Sequence, residues 1–301
     1  MKKVAALDIG GTKLSAALVT SDGHILVQRK VPVARRSADV LARQIAELVS
    51  AVLDDASSTK AELAACGVIV PGIYFAASGN VWAPNLWGHE EVPLVKQLEA
   101  ALQMPVRIDS DRAGYVLGEQ WMGAARGMKD VVFLAVGTGI GAGIISGGHL
   151  LRGSGDIAGA VGWSALVPRY RDIYHQVGCW EAEASGPALA RRAGTESAEQ
   201  VIRAAREGDE GACGAIAETA HYLGMGVANL VSLLNPEMIV LGGGLMQAHD
   251  LFLEPIRNAV GKWAQPISAR QVRIEVTQLG ENAGLFGAAR LAFSGAADRA
   301  A

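Results

Sequence analysis

LDIGGTK, residues 7–13, decides the fold, because an apolar strand runs straight into two glycines, a threonine and a lysine. Two familiar phosphate loops also place glycines after a strand, G-x-G-x-x-G and G-x-x-x-x-G-K-[ST], and neither spacing occurs here. Lys13 instead opens a second apolar run, so the glycines read as the tip of a strand–turn–strand hairpin. The layout returns later in the chain. VVFLAVGTGIGAGIIS, residues 131–146, repeats the strand, glycine turn, strand order of VAALDIGGTKLSAALV, residues 4–19, which predicts an internal duplication.

Working outward from the first hairpin, residues 4–9, 13–20 and 24–33 read as an antiparallel meander, with turns at Gly10-Gly11 and Ser21-Asp22-Gly23. Ser37 caps a helix through about Asp55, whose apolar residues Val40, Leu41, Ile45, Leu48, Val49, Val52 and Leu53 recur at helical period. A strand at Cys66–Val70 ends in Pro71-Gly72, and a strand at Val106–Asp109 enters a helix over Asp111–Trp121, with turn residues between. Residues 186–234 are mostly helical, and NPEMIVLGGGLM, residues 235–246, reads as a buried strand, a glycine loop and a new helix. A last strand near Val272–Val276 precedes a closing helix at about Asn282–Phe293. The expected architecture is α/β with two lobes and a central cleft. The smaller lobe takes residues 1–115 and the C-terminal helix at about 285–301; the larger takes residues 116–284.

Half of the 301 residues are apolar, enough to bury a sizeable core. The net charge is −3 and Lys and Arg are scattered, so the basic stripe of a nucleic-acid binder is missing and a small-molecule partner is expected. The N-terminal apolar run is short and interrupted by Asp8, which argues against a signal peptide, and no long apolar run follows; a cytoplasmic protein without membrane contact is expected. Cys66, Cys179 and Cys213 lack C-x-x-C spacing and read as buried reduced thiols.

Two glycine hairpins on opposing lobes would aim backbone N–H groups at one anion, Gly10, Gly11 and Thr12 from one side and Gly137, Thr138 and Gly139 from the other. Gly242, Gly243 and Gly244 open a helix whose N-terminus suits phosphate or whose bare backbone suits a flat purine. Asp8 is an acid where a strand would otherwise carry an apolar side chain, and it can hold hydrated Mg²⁺ beside a polyphosphate or fix its own turn.

LDIGGTK, PNLWG, DSDRAGYVLGE, VGTGIGAGII, GCWEAEASGPALARRA and NPEMIVLGGG, in this order, resemble the ROK family of sugar kinases and repressors, within the actin/hexokinase/Hsp70 superfamily. The resemblance spans nearly the whole chain. It implies the two-lobed actin-like ATPase, ribonuclease H-like fold with duplicated mixed sheets, ATP and Mg²⁺ as cofactors, and a sugar-like acceptor. It also implies Lys13 beside the phosphates, Asp8 on Mg²⁺ through water, Asp111 as the catalytic base, and Gly72, Asn85 and Glu181 at the acceptor. Asp111 sits at a helix start, where the dipole favours its anion. A homodimer is a further implication.

The resemblance fails at several places. The family segment G-E-I-G-H is here GAVGW, so Ala160 and Trp163 replace two polar residues. The zinc motif that follows keeps only Cys179; Asp172 and Tyr174 stand at the first two cysteine positions, so no zinc is expected, although Asp172, His175 and Cys179 share a helical spacing. Arg169, Tyr170, Arg171 and Tyr174 in the same segment read as a solvated loop, or as a cover or acidic-substrate contact. Ser110 and Ala113 also replace family asparagines. Retention of Asp8, Asp111 and all three glycine loops favours a carbohydrate kinase with altered acceptor specificity, with Trp163 stacking on the acceptor. The alternative is a non-catalytic nucleotide or sugar sensor. With the first strand at residue 4, no helix-turn-helix is expected.

Overall fold

In the computed structural model, which describes residues 1–34 and 37–294, the chain forms two units. Unit 1 comprises Met1–Gly127, Arg152–Ile157 and Leu279–Ala301, and unit 2 comprises Met128–Leu151 and Ala158–Gln278. Residues 295–301, the expected end of the closing helix, lie outside the described residues.

Unit 1 is built on a five-stranded sheet of Lys3–Ile9 (β1), Lys13–Thr20 (β2), Ile25–Pro32 (β3), Leu63–Val70 (β4) and Val106–Ser110, in the order β3-β2-β1-β4 and then the last. Three short strands, Ile73–Phe75 (β5), Asn80–Trp82 (β6) and Glu91–Val92 (β7), form a second sheet before it, which makes Val106–Ser110 β8. The β1–β2–β3 meander is antiparallel, while β1, β4 and β8 run parallel. Period-2 alternation sends successive side chains of β1 to opposite faces. Leu7 and Ile9 join the core under Ala38–Asp55 (α1) and Leu94–Leu102 (α3). Val4 and Ala6 join the core under Ala283–Phe293 (α12). Asp8 has the parity of Val4 and Ala6 and therefore faces the α12 side. The turn helix Pro84–Trp87 (α2) and Asp111–Met122 (α4) complete this unit.

Unit 2 repeats the plan. Val131–Val136 (β9), Ile140–Ser146 (β10), His149–Leu150 (β11), Met238–Gly242 (β12) and Arg273–Val276 (β13) stand in the order β11-β10-β9-β12-β13. The hairpin strands are antiparallel, and β12 is parallel to both β9 and β13. The two sheets thus share one topology, which bears out the duplication read from the paired hairpins. Helices Tyr174–Val177 (α5), Cys179–Ala184 (α6), Gly186–Ala193 (α7), Ala198–Arg206 (α8), Glu210–Leu234 (α9), His249–Trp263 (α10) and Pro266–Gln271 (α11) surround it. The core joins Val132, Leu134 and Val136 to Leu223, Val227 and Phe252.

Two expectations need correction. The span between β4 and β8 is not only turns: Leu94, Leu98 and Leu102 at i, i+4, i+8 bury one face of α3. Cys213 is exposed, unlike buried Cys66 and Cys179. The segment 168–177 is mostly exposed, as a solvated loop would be, but it is tied down where Tyr174 is buried and Arg171 pairs with Glu183. Among the described residues, no helix is long and apolar enough to cross a membrane.

Candidate active site

In unit 1 the first hairpin closes by a bond from Gly10 N to Lys13 O at 2.8 Å, which leaves Gly11 and Thr12 at the tip and Thr12 exposed. Asp8 lies one turn below, between Ser15 of β2 and Ile69 of β4 in register. Gly284 of α12 packs directly on its carboxylate, since a methyl group there would come within 2.2 Å of Oδ2. Burial, followed by the negative charge of Asp111, pushes the Asp8 carboxyl up to about 7. Its carboxylate makes no hydrogen bond or ion pair among the described residues. An oxygen donor that neither protein cation nor amide satisfies fits a hard divalent cation such as Mg²⁺.

Asp111 is the first residue of α4, and Ser110 is the N-cap, its hydroxyl accepting from Ala113 N at 3.3 Å. The capping role is therefore taken by the serine. Among the described residues, Asp111 Oδ1 accepts only from the adjacent Arg112 N, at 2.7 Å. The expected stabilisation of its anion by the helix N-terminus is outweighed: burial raises the carboxyl to about 6, against the opposing pull of Arg112. Tyr115, one turn along α4, has its phenol pushed well above the ordinary range by burial and by the charges of Asp8 and Asp111. These three side chains form one electrostatic cluster on the α4–α12 face.

Sequence reasoning missed a partner of the same strand. Asp109, 3% exposed, pairs through Oδ2 with Arg152 Nη2 at 2.5 Å, while its Oδ1 accepts from Ser110 N at 2.8 Å. A 43-residue separation leaves no local signal for that pair. It fixes the strand end immediately before Asp111. Gly72 follows β4 with φ 146°, where a methyl group would strike Trp82 O at 2.1 Å, so it serves the small sheet. Asn85 is exposed on α2.

In unit 2 the second hairpin closes from Gly137 N to Gly139 O at 2.9 Å, and Thr138 is exposed at its tip. The structure brings this turn to two other expected elements. Gly243, with φ 91°, follows β12 against Val136 O, and Gly186 N at the start of α7 donates to Gly137 O at 2.8 Å. Together they frame a cavity of about 780 Å³, bordered by Gly137, Thr138, Gly244 and helices α7 and α8. Its walls include Pro187, Ala190, Ile202, Leu245 and Ala248, with Glu199 and Arg203 among the charged residues. An apolar slot opening beside two glycine-rich turns fits a flat base joined to a phosphate tail, and the volume falls within the range of small-molecule sites.

Glu181 is half-buried on α6, and its Oε2 accepts from Ile140 N at 2.8 Å, directly after the second hairpin tip. A methyl group on Gly139 would lie 2.7 Å from that oxygen, so glycine here serves the acid as well as the turn. Burial raises the Glu181 carboxyl, opposed by the Ile140 bond. Trp163 is 57% exposed, and Ala160 is half-buried at the head of its turn. Among the described residues no group of three His, Cys, Asp or Glu side chains is placed to hold a metal ion, and Asp172, His175 and Cys179 do not form one.

Comparison with known proteins places this arrangement. The ROK family profile matches residues 4–294. The glucokinase of Halalkalibacterium halodurans is 31% identical, over 93% of this chain and 92% of its own. The N-acetylmannosamine kinase of Escherichia fergusonii is 33% identical, over 95% of this chain and 97% of its own. The crystal structure of a ROK family glucokinase from Streptomyces griseus, in complex with glucose and AMPPNP, superposes with a TM-score of 0.79 at 31% identity, covering 97% of this chain and all of that one. With duplicated mixed sheets, glycine hairpins and a family match over almost its entire length, the chain belongs to the ROK family and has its actin-like ATPase fold.

Proposed function

We propose that the protein is an ATP- and Mg²⁺-dependent carbohydrate kinase that phosphorylates a hydroxyl of a sugar or sugar-like acceptor. The observation that carries this reading is the state of Asp111: a carboxyl at a helix start, left uncommitted by the Ser110 cap and raised to about 6 beside Asp8. A general base works best with a pKa near the working pH. Asp111 orients the acceptor hydroxyl and takes its proton as the oxygen attacks.

The nucleotide, with its metal, supplies the phosphoryl group and neutralises part of its charge. Unit 2 binds the base and ribose in the α7–α8 cavity, and the turn Gly137-Thr138-Gly139 binds phosphate oxygens through the N–H groups of Thr138 and Gly139, the Gly137 N–H being committed to Gly139 O, with Gly242, Gly243 and Gly244 beside it. Unit 1 contributes Gly10, Gly11, Thr12 and Lys13 to phosphate binding, and Asp8 holds Mg²⁺ through water. Asn85, Gly72 and Glu181 contact the acceptor. Trp163 offers an aromatic face for stacking on a pyranose, while Ala160 leaves room for a substituent. The closing helix returned to the first lobe remains part of this reading, as do a cytoplasmic location and a homodimer.

One observation favours a second reading, a sensor that binds nucleotide or sugar without transfer: two polar residues of the family pattern are lost at Ala160 and Trp163. The two readings separate in one assay. Incubation with ATP and Mg²⁺ against glucose, mannose, N-acetylglucosamine and N-acetylmannosamine is expected to give acceptor-dependent ADP release with at least one. Nucleotide binding by calorimetry without transfer to any of a broad sugar panel would favour the sensor.

A further inference from the structure

Glu183 lies on α6 two residues beyond Glu181 and is 5% exposed. A buried carboxylate is tolerated only when paired and hydrogen-bonded. Its Oε1 accepts from Arg171 Nη1 at 2.6 Å and from the Tyr174 hydroxyl. Its Oε2 faces Arg192 Nη2 at 3.4 Å, and the same guanidinium donates to the Glu183 backbone oxygen at 2.9 Å and to Thr219 Oγ1 of α9 at 2.6 Å. One acid therefore ties the segment before α6 and helix α7, and through Arg192 helix α9, to a helix of only six residues.

A helix that short cannot hold its own orientation, because nucleation consumes most of its hydrogen-bond gain. Residues two apart are turned by about 200° on a helix and point to nearly opposite sides. On the side away from Glu183, Glu181 binds Ile140 N beside the second hairpin. Helix α6 is thus gripped by two acids from opposite faces. Its start is also seated on the turn that carries Trp163: Trp180 N donates to Ser164 O at 3.1 Å, and a methyl group on Gly178 would lie 2.7 Å from Trp163 Cα.

We propose that Glu183 is a positioning residue for the acceptor, fixing α6 and the segment 164–178 so that Glu181 keeps one arrangement. The assignment rests on the carbohydrate-kinase reading, in which Glu181 binds acceptor hydroxyls. Glu183 itself touches neither reacting group. Its loss acts through Glu181, and effects of residues acting through one another do not add.

The test compares Glu183→Gln, the milder Tyr174→Phe and the pair Glu183→Gln with Glu181→Ala, using ATP and whichever of the four sugars above turns over fastest. The acceptor KM is expected to rise ~10-fold in Glu183→Gln and ~3-fold in Tyr174→Phe, with the ATP KM within about twofold of wild type. Added to Glu181→Ala, Glu183→Gln is expected to change the acceptor KM by less than about twofold. Hydrogen exchange of the ligand-free protein is expected to speed up in residues 164–184 and to stay unchanged in residues 4–20. Equal rises in both KM values, an unchanged acceptor KM, or full additivity with Glu181→Ala in an active enzyme overturns the positioning role while leaving the kinase reading intact. A wild-type protein that phosphorylates none of a broad sugar panel, with faster exchange still seen in Glu183→Gln, instead overturns the kinase reading and with it the acceptor role, leaving α6 merely clamped.

Discussion

At Asp111 two opposing influences meet: the helix N-terminus and Arg112 favour the anion, and burial beside Asp8 disfavours it more strongly. The consequence extends to folding. Both carboxyls have an ordinary value of 3.8 and rise in the folded chain to about 6 for Asp111 and about 7 for Asp8. A folded pKa above the unfolded one gives stability that is complete below the unfolded value and lost as pH rises through the folded value. The metal-free protein should therefore lose stability between about pH 4 and pH 7, by a few kcal/mol from the two groups together. Asp111→Asn removes one of them, so it should melt higher than wild type at pH 8 and close to wild type at pH 4, as thermal unfolding in EDTA will measure. A variant that melts below wild type by the same margin at every pH would show that Asp111 is not held against its charge.

Helix α12 sets the place of Asp8 through small residues. A methyl group on Gly284 meets the end of a side chain, Asp8 Oδ2 at 2.2 Å, whereas one on Gly287 meets the backbone oxygen of Gly114 on α4 at 1.9 Å. Side chains swing and backbones resist, so the two substitutions should differ. Gly284→Ala is expected to lower stability by only ~1–2 kcal/mol while reducing turnover ~100-fold, because Asp8 is pushed aside. Gly287→Ala is expected to lower stability by ~3 kcal/mol or more through overpacking of the α4–α12 contact. Urea unfolding and kcat, measured on both, decide; Gly284→Ala with turnover near wild type would remove Asp8 from the working site.

The elements that local patterning controls were readable in advance. The β1–β2–β3 meander, Ser37 capping α1, and the strand–glycine–helix run at 235–246 follow from alternation, capping and turn chemistry. Helix α3 was readable in principle from Leu94, Leu98 and Leu102, but Pro71-Gly72, Gly79 and Gly88 crowd its approach and masked it. The Asp109–Arg152 and Glu183–Arg171–Tyr174–Arg192 contacts were not readable, because tertiary folding alone brings their members together. Tyr174 illustrates the difficulty: its residue type leaves its placement open, and contact with the buried Glu183 goes with its burial while Arg171 stays half-exposed.

For the molecule as a whole, repetition made the fold legible. Two copies of one hairpin predicted two copies of one sheet, and the strand orders β3-β2-β1-β4-β8 and β11-β10-β9-β12-β13 are that duplication. The copies have diverged in chemistry. The first carries Asp8 and lies beside Asp111, while the second carries Glu181 and borders the α7–α8 cavity. Division of labour between base and donor binding is what the kinase reading requires.

The most direct measurement is Asp111→Asn, assayed for AMPPNP affinity and for phosphoryl transfer to the best sugar under saturating ATP and Mg²⁺. Nucleotide affinity within about twofold of wild type, with kcat reduced ~1,000-fold, is the predicted result. Turnover within about tenfold of wild type at unchanged affinity would contradict Asp111 as the base and the account built on it.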